Sequence, residues 1–169
     1  MNSTHIIGVD PGLVHTGVVR MLFDPDNRVI TTEHEAVAGP DATAVAFWAA
    51  GRGTRLQLHE LLPWRVVFIE GYRPRSNLNS DARMVEAVSQ MRAATKGTVL
   101  LNTGVKKVVK RDLMELLGVW KFGTVTHHQD LRSAARIAIL GMLKDEALNR
   151  LVYDVVDDHL KGRTWTVRS

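Results

Sequence analysis

The stretch Ile6-Ile7-Gly8-Val9-Asp10-Pro11-Gly12-Leu13-Val14-His15-Thr16-Gly17-Val18-Val19 decides how the chain is read. An apolar run enters a lone carboxylate, turns at Pro11-Gly12, and leaves through Thr16-Gly17 into a second apolar run. The pattern predicts a β-hairpin with Asp10 at the end of its first strand. Pro11 and Gly12 suit a tight turn, because proline fixes φ and glycine tolerates positive φ. A carboxylate over a sheet needs a partner, since an unpaired buried charge is costly. Asp10 is therefore either a turn residue that bonds its own backbone or a metal ligand at a sheet end. The rest of the chain has to decide between the two.

Outward from the hairpin, strands are expected at Ile6–Val9 and about Gly17–Phe23. Asp24-Pro25-Asp26-Asn27 is a turn cluster, so a third strand near Arg28–Thr32 completes an antiparallel meander. Residues Glu33–Pro40 read as irregular. Asp41 or Thr43 caps a helical segment that runs to Leu62, is interrupted by Gly51-Arg52-Gly53, and ends at Pro63. Arg65–Ile69 is a β-branched and aromatic run that suits a central strand, and it leads straight into Glu70-Gly71-Tyr72. A strand that follows a helix after a meander is expected to lie parallel to the first. Asp10 and Glu70 then share one edge of the sheet.

Ser80 or Asp81 is expected to cap a helix through about Thr95, followed by a short strand at Thr98–Asn102. A basic amphipathic helix is predicted from Val105 to about Leu117, stopped by Gly118. The helix that starts near His127 or Asp130 carries a small-residue face, Ala134, Ala135 and Ala138, fit for close packing on a sheet. A further helix is expected at about Asp145–Leu160. The fold class is thus α/β: a mixed five-stranded sheet, an antiparallel meander plus parallel strands, flanked by helices. Residues 1–169 read as a single domain whose tail, from about 161, is loose or disordered.

The chain has 169 residues, 45% hydrophobic and 24% charged, as expected of a soluble globular protein. It has no cysteine, which excludes a disulfide scaffold, a thiolate zinc site and a cysteine nucleophile. No apolar run has the length of a membrane span, and no signal-peptide layout opens the chain, so a cytoplasmic location and no membrane partner are expected. A formal charge of +4 and a pI near 9.7 are compatible with a polyanionic partner.

Three acidic residues stand out by context. Asp10 and Glu70 each end a strand, and Asp130 opens a helix of small residues. His127 lies three residues before Asp130 and Ser133 three after, so each pair can share a helix face. Clustered carboxylates raise one another's pKa unless a cation intervenes. Mg²⁺ takes oxygen ligands and leans on one or two carboxylates plus substrate phosphate. Two such ions roughly 4 Å apart activate a water and stabilise the leaving oxygen in phosphodiester cleavage. If the three carboxylates meet, they suit Mg²⁺ or Mn²⁺ better than a purely structural cluster.

These residues carry a resemblance. Asp10-Pro11-Gly12-x-x-x-Thr16-Gly17, then Phe68-Ile69-Glu70, then the helix containing Ser133-Ala134-Ala135-Arg136-Ile137-Ala138, resemble a RuvC-type Holliday junction resolvase, in particular the divergent bacteriophage members. The resemblance spans Ile6 to about Leu143. It implies a ribonuclease-H-like fold, a homodimer, two Mg²⁺ ions (Mn²⁺ able to substitute) and paired nicks in branched DNA such as a four-way junction. It also implies a place in DNA recombination and repair, in a bacterial cell or an infected host. Asp10, Glu70 and Asp130 are the implied metal ligands. The family's last helix carries an Asp or His followed three residues later by an Asp. One register puts Asp130 first and Ser133 second; the other puts His127 first and Asp130 second. The alanine-rich face favours the first, in which a neutral hydroxyl stands where the family has a carboxylate.

Arg73 and Arg75, just beyond Glu70, and Lys106, Lys107, Lys110 and Arg111 are candidate phosphate contacts, or simply a solvated face. Besides the junction-cleaving nuclease, three other readings fit parts of the chain. One is a flap or fork nuclease. Another is a branched-DNA-binding module without catalysis. The last is a sugar-kinase or actin-like ATPase, whose first phosphate loop also reads Asp-x-Gly-x-Thr. The chain has one such loop, no second copy, and too few residues for paired lobes.

Overall fold

The computed structural model describes residues 3–50, 65–74, 79–101, 105–123 and 126–169. Six strands form one mixed sheet in the order β5-β4-β1-β2-β3-β6. β1 (Thr4–Asp10), β2 (His15–Asp24) and β3 (Val29–Ala38) are the antiparallel meander. β4 (Arg65–Gly71) lies parallel to β1, and β5 (Thr98–Leu101) parallel to β4. The expected mixed sheet flanked by helices is therefore present.

Alternation along the strands sorts the two faces. Ile7, Val9, Val18, Val67 and Ile69 pack with Val45, Trp48 and Met91, from α1 (Ala42–Ala49) and α2 (Asn79–Thr95). Ile6, Val19, Met21, Phe23 and Phe68 pack on the other face. Their partners come from α3 (Val105–Val108), α4 (Arg111–Leu116), α5 (His128–Lys144) and α6 (Asn149–Leu160). Asp41 caps α1 as its side-chain type predicts: Oδ1 accepts from the backbone N–H of Thr43 and Ala44, each at 2.9 Å.

α5 lies directly on the sheet because two glycines clear its path. A β-carbon on Gly8 would run into the carbonyl oxygen of Ala134, and one on Gly17 would stand 2.6 Å from the carbonyl carbon and oxygen of Asp130. With Ala134 and Ala138 facing the sheet, the helix backbone approaches the strands closely, its first two turns over β2 and β1 and its last turn over Phe68 of β4.

Several local expectations are corrected. β3 does not stop at Thr32; it continues to Ala38 along the whole of β2. Glu33, which read as a loop residue, is paired with the buried guanidinium of Arg20 at 3.1 Å, so the charge is compatible with a strand. The basic helix is two short helices, parted at Val109-Lys110, where Lys110 is extended (ψ 165°). The valines at 105, 108 and 109 lose side-chain freedom in a helix, which weakens it there. Asp81 sits inside α2, buried, and accepts from the Tyr72 hydroxyl instead of capping the helix from Ser80 or Asp81.

Past residue 161 the tail adds a sixth strand, β6 (Thr166–Arg168), parallel to β3. Asp158 holds it there, accepting from Arg28 Nε at 3.0 Å, Arg163 at 3.1 Å and Trp165 Nε1 at 3.1 Å. The interruption expected at Gly51-Arg52-Gly53 and the helical stretch to Leu62 lie outside the described residues, as do Arg75 and Asn102. Among the described residues no helix is long and apolar enough to cross a membrane.

Candidate active site

Register places the first two carboxylates side by side. Val9 is the parallel partner of Ile69, so the next residues on the two strands are Asp10 and Glu70. Both follow the parity of Ile6 and Phe68 and belong to the face that α5 covers. Asp10 is also the cross-strand partner of Gly17, the residue on which the Asp130 carbonyl rests. One short-range geometry thus delivers β1, β4 and the start of α5 to the same point.

The turn between β1 and β2 is pinned by the threonine of the motif. The buried Thr16 Oγ1 accepts from the Gly12 N–H at 3.3 Å and donates to the Gly39 carbonyl at 2.8 Å. The hydroxyl thereby ties the Asp-Pro-Gly turn to the segment after β3. Sequence reading had given Thr16 no such role.

The carboxylates act on one another. Burial, then the charge of Glu70 and a hydrogen bond to it, then the charge of Asp130, push the Asp10 carboxyl up to about 9. A hydrogen bond from Ser133 opposes this rise. Burial and its acidic neighbours thus disfavour the charged form of Asp10, and the Ser133 hydroxyl lies on its other side.

Asp130 is the third residue of α5, and its Oδ2 lies 3.7 Å from His127 Nδ1. His127 occupies the helix N-cap position but makes no side-chain cap bond. Its ring lies 3.9 Å from that of His15. His15, at the start of β2, is half-buried against the start of α5.

Of the two registers, the structure brings Ser133, not His127, into contact with Asp10. Among the described residues no three His, Asp or Glu side chains already stand in position to hold an ion. The donor set nevertheless fits a hard divalent cation. It is made of carboxylate oxygens and a hydroxyl, and the crowding that raises the Asp10 carboxyl is a cost that a cation would remove. Asp10, Glu70 and Asp130 are the residues that would hold it.

The candidate phosphate contacts are spread more widely. Arg73 is exposed just past Tyr72, and Arg75 lies outside the described residues. Lys106 and Lys107 are exposed on α3, and Lys110 in the break between α3 and α4. Arg111 is already paired with Glu115 at 2.8 Å. Sequence reading passed over Trp120, against which three arginines gather, and His5, buried near the start of the central strand β1.

No family model matches the chain, and no curated protein does. Solved structures do. Thermus thermophilus RuvC in complex with a Holliday junction substrate aligns with a TM-score of 0.50 and 14% identity, over 92% of this chain and 96% of that one. A second Thermus thermophilus RuvC structure aligns at 0.47 and 15% identity, over 94% and 97%. The large terminase nuclease from the thermophilic phage G20c aligns at 0.34 and 16% identity, over 82% of each chain. The first of these establishes a shared fold, the ribonuclease-H-like mixed sheet flanked by helices.

Proposed function

We propose that this protein is a structure-selective endodeoxyribonuclease that cuts branched DNA, four-way junctions above all, by Mg²⁺-dependent hydrolysis. The observation that carries the reading is the meeting of Asp10, Glu70, Asp130 and Ser133 where β1, β4 and α5 converge. Its support from outside the chain is the fold it shares with a RuvC that is solved on a Holliday junction.

In this reading Asp10 and Glu70 would hold the metal from the ends of β1 and β4. Asp130 approaches from α5, and Ser133 steadies the Asp10 carboxylate through its hydroxyl. A pair of divalent ions (Mg²⁺, or Mn²⁺ in its place) supplies water activation and charge neutralisation at the leaving oxygen. His127, next to Asp130, is in reach to orient the attacking water or accept a proton. Arg73, Arg75, Lys106, Lys107, Lys110 and Arg111 would hold backbone phosphates beside the cut. A homodimer would place two such sites on the two strands of a junction.

The test is cleavage of an end-labelled synthetic four-way junction, with linear duplex and flap substrates beside it, in Mg²⁺ and in EDTA. Selective, metal-dependent nicking of the junction is the expected result. Equal cutting of all three substrates contradicts junction selectivity. One observation favours a second reading: Ser133 offers a hydroxyl where a carboxylate would complete the site. A branched-DNA-binding module without catalysis would bind the junction tightly in EDTA and leave it uncut in Mg²⁺.

A further inference from the structure

Beside the carboxylate site, on the flank of the same helix, lies an arrangement that the proposed chemistry does not use. Three guanidinium groups surround the indole of Trp120: Arg132 at 4.1 Å from the ring centroid, Arg111 at 5.1 Å and Arg136 at 5.8 Å. Arg132 Nε donates to the Trp120 carbonyl at 3.0 Å, which fixes the side chain to the loop after α4. Glu115 is the carboxylate of this neighbourhood, and it is paired with Arg111 at 2.8 Å. Among the described residues neither Arg132 nor Arg136 has a carboxylate within ion-pair distance, and the Nε of Arg136 is buried without an acceptor.

Like charges held together on an apolar surface repel and are poorly hydrated, and of the three described arginines only Arg111 has a carboxylate partner. An indole face attracts guanidinium planes and leaves their N–H edges pointing outward, the geometry that suits a phosphate. Arg132 and Arg136 are four residues apart, so they share one face of α5. By helix geometry they lie about 3 and 9 Å along the axis from Asp130, and Arg136 is one turn on from Ser133 and shares its face. A DNA strand seated at Ser133 and running along α5 toward its C-terminus would meet Arg136 and, beside it, Arg132.

We propose that Arg132 and Arg136, stacked on Trp120, form a second phosphate-binding site that holds the DNA backbone next to the bond being cut. The proposal rests on the nuclease reading and adds to it a grip that the lysine-rich segment does not supply. Trp120 pre-orders both guanidiniums, so little side-chain freedom is lost when phosphate arrives.

The test is binding of a fluorescent four-way junction by the full chain in EDTA across a salt series. Wild type is compared with the pair Arg132→Gln and Arg136→Gln, with Arg132→Lys and Arg136→Lys, and with the exposed control Arg150→Gln. Folding of each is checked by thermal melting. The Gln pair is expected to flatten the slope of log affinity against log salt by about 2 and to weaken binding on the order of tenfold or more. The Lys pair, which keeps the charge, should recover most of the slope, and Arg150→Gln should match wild type.

A folded Gln pair with the wild-type slope overturns the proposal. So does a loss that the Lys pair fails to recover, because that points to a purely structural role on Trp120. Wild type that binds no DNA at all removes the nuclease reading and this proposal together. Wild-type binding with an unaffected Gln pair removes only this one.

Discussion

Gly17 carries the backbone of Asp130: the place where its β-carbon would be is 2.6 Å from the Asp130 carbonyl. Because Gly17 is also the cross-strand partner of Asp10, the fit between β2 and α5 sets the spacing of two of the three carboxylates. Gly17→Ala should push the start of α5 away from the sheet. The expected cost is about 1–3 kcal/mol of stability from overpacking. A displacement of this kind is also expected to cost on the order of 100-fold in DNA cleavage. Denaturant unfolding and cleavage rates measure the two effects. A variant with wild-type cleavage would mean that Asp130 is not placed by this contact.

The burial of Asp10, and after it the repulsion from Glu70 and Asp130, that together raise it to about 9 should make the site a stability–function compromise. Asp10→Asn removes one carboxylate from a crowded group. In EDTA it should melt higher than wild type, by about 2–4 °C for each kcal/mol of this burial and repulsion cost relieved. Mg²⁺ should raise the Tm of wild type and leave that of Asp10→Asn nearly unmoved, because only a competent site couples the ion to folding. Equal Mg²⁺ responses in the two proteins would show that the ion acts elsewhere.

Ser133 and His127 make separable predictions. If Ser133 fills the position next to Asp10, Ser133→Asp adds a charged oxygen ligand. The Mg²⁺ concentration needed for half-maximal cleavage should then fall on the order of tenfold. His127→Ala should leave that concentration near wild type while lowering the rate. The opposite pattern, with His127→Ala raising the metal requirement and Ser133→Asp without effect, would assign the position to His127.

His5 provides a pH dependence unconnected with catalysis. It is 2% exposed, its Nδ1 has no partner, and burial followed by the charge of Arg20 lowers its pKa to about 4. A histidine held neutral in the folded state contributes its full share of stability above its unfolded value of 6.5. That share is lost as pH falls toward 4, because only the unfolded chain takes up the proton readily. The loss amounts to roughly 3 kcal/mol at its largest. Urea unfolding between pH 7 and 4 should show this limb in wild type, and His5→Phe should flatten it. An unchanged limb in His5→Phe would place the acid sensitivity in other groups, with His34, also lowered by burial and by His128, the next to examine.

The carboxylate-bearing end of the fold was legible in the sequence because its determinants are local. Asp10-Pro11-Gly12 and Thr16-Gly17 specify a hairpin by turn chemistry alone, and Arg65–Glu70 specifies a strand by its β-branched run. Parallel pairing of that strand with the first then follows from a helix-bearing crossover. What escaped was set by distant partners. Glu33 reads as a loop residue until Arg20, thirteen positions earlier, neutralises it inside the strand pair.

Thr166–Arg168 is too short and polar to announce a strand, and it is held by Asp158 through Arg163 and Trp165. Trp120 gave no periodic signal, and its arginines lie on two different helices. The choice between Ser133 and His127 depends on which turn of α5 faces Asp10. The small-residue face of α5 already pointed to Ser133, and the glycines that dock the helix hold that face against the sheet.

The central claim is that Asp10 and its neighbours make a metal-dependent nuclease site, and the most direct measurement is nicking of a labelled four-way junction by wild type and Asp10→Asn at matched junction occupancy. The account predicts nicks from wild type in Mg²⁺, none in EDTA, and a loss of at least about 100-fold in Asp10→Asn. Mg²⁺-dependent nicking that survives undiminished in Asp10→Asn would contradict it. So would folded wild type that binds the junction and leaves it whole in Mg²⁺.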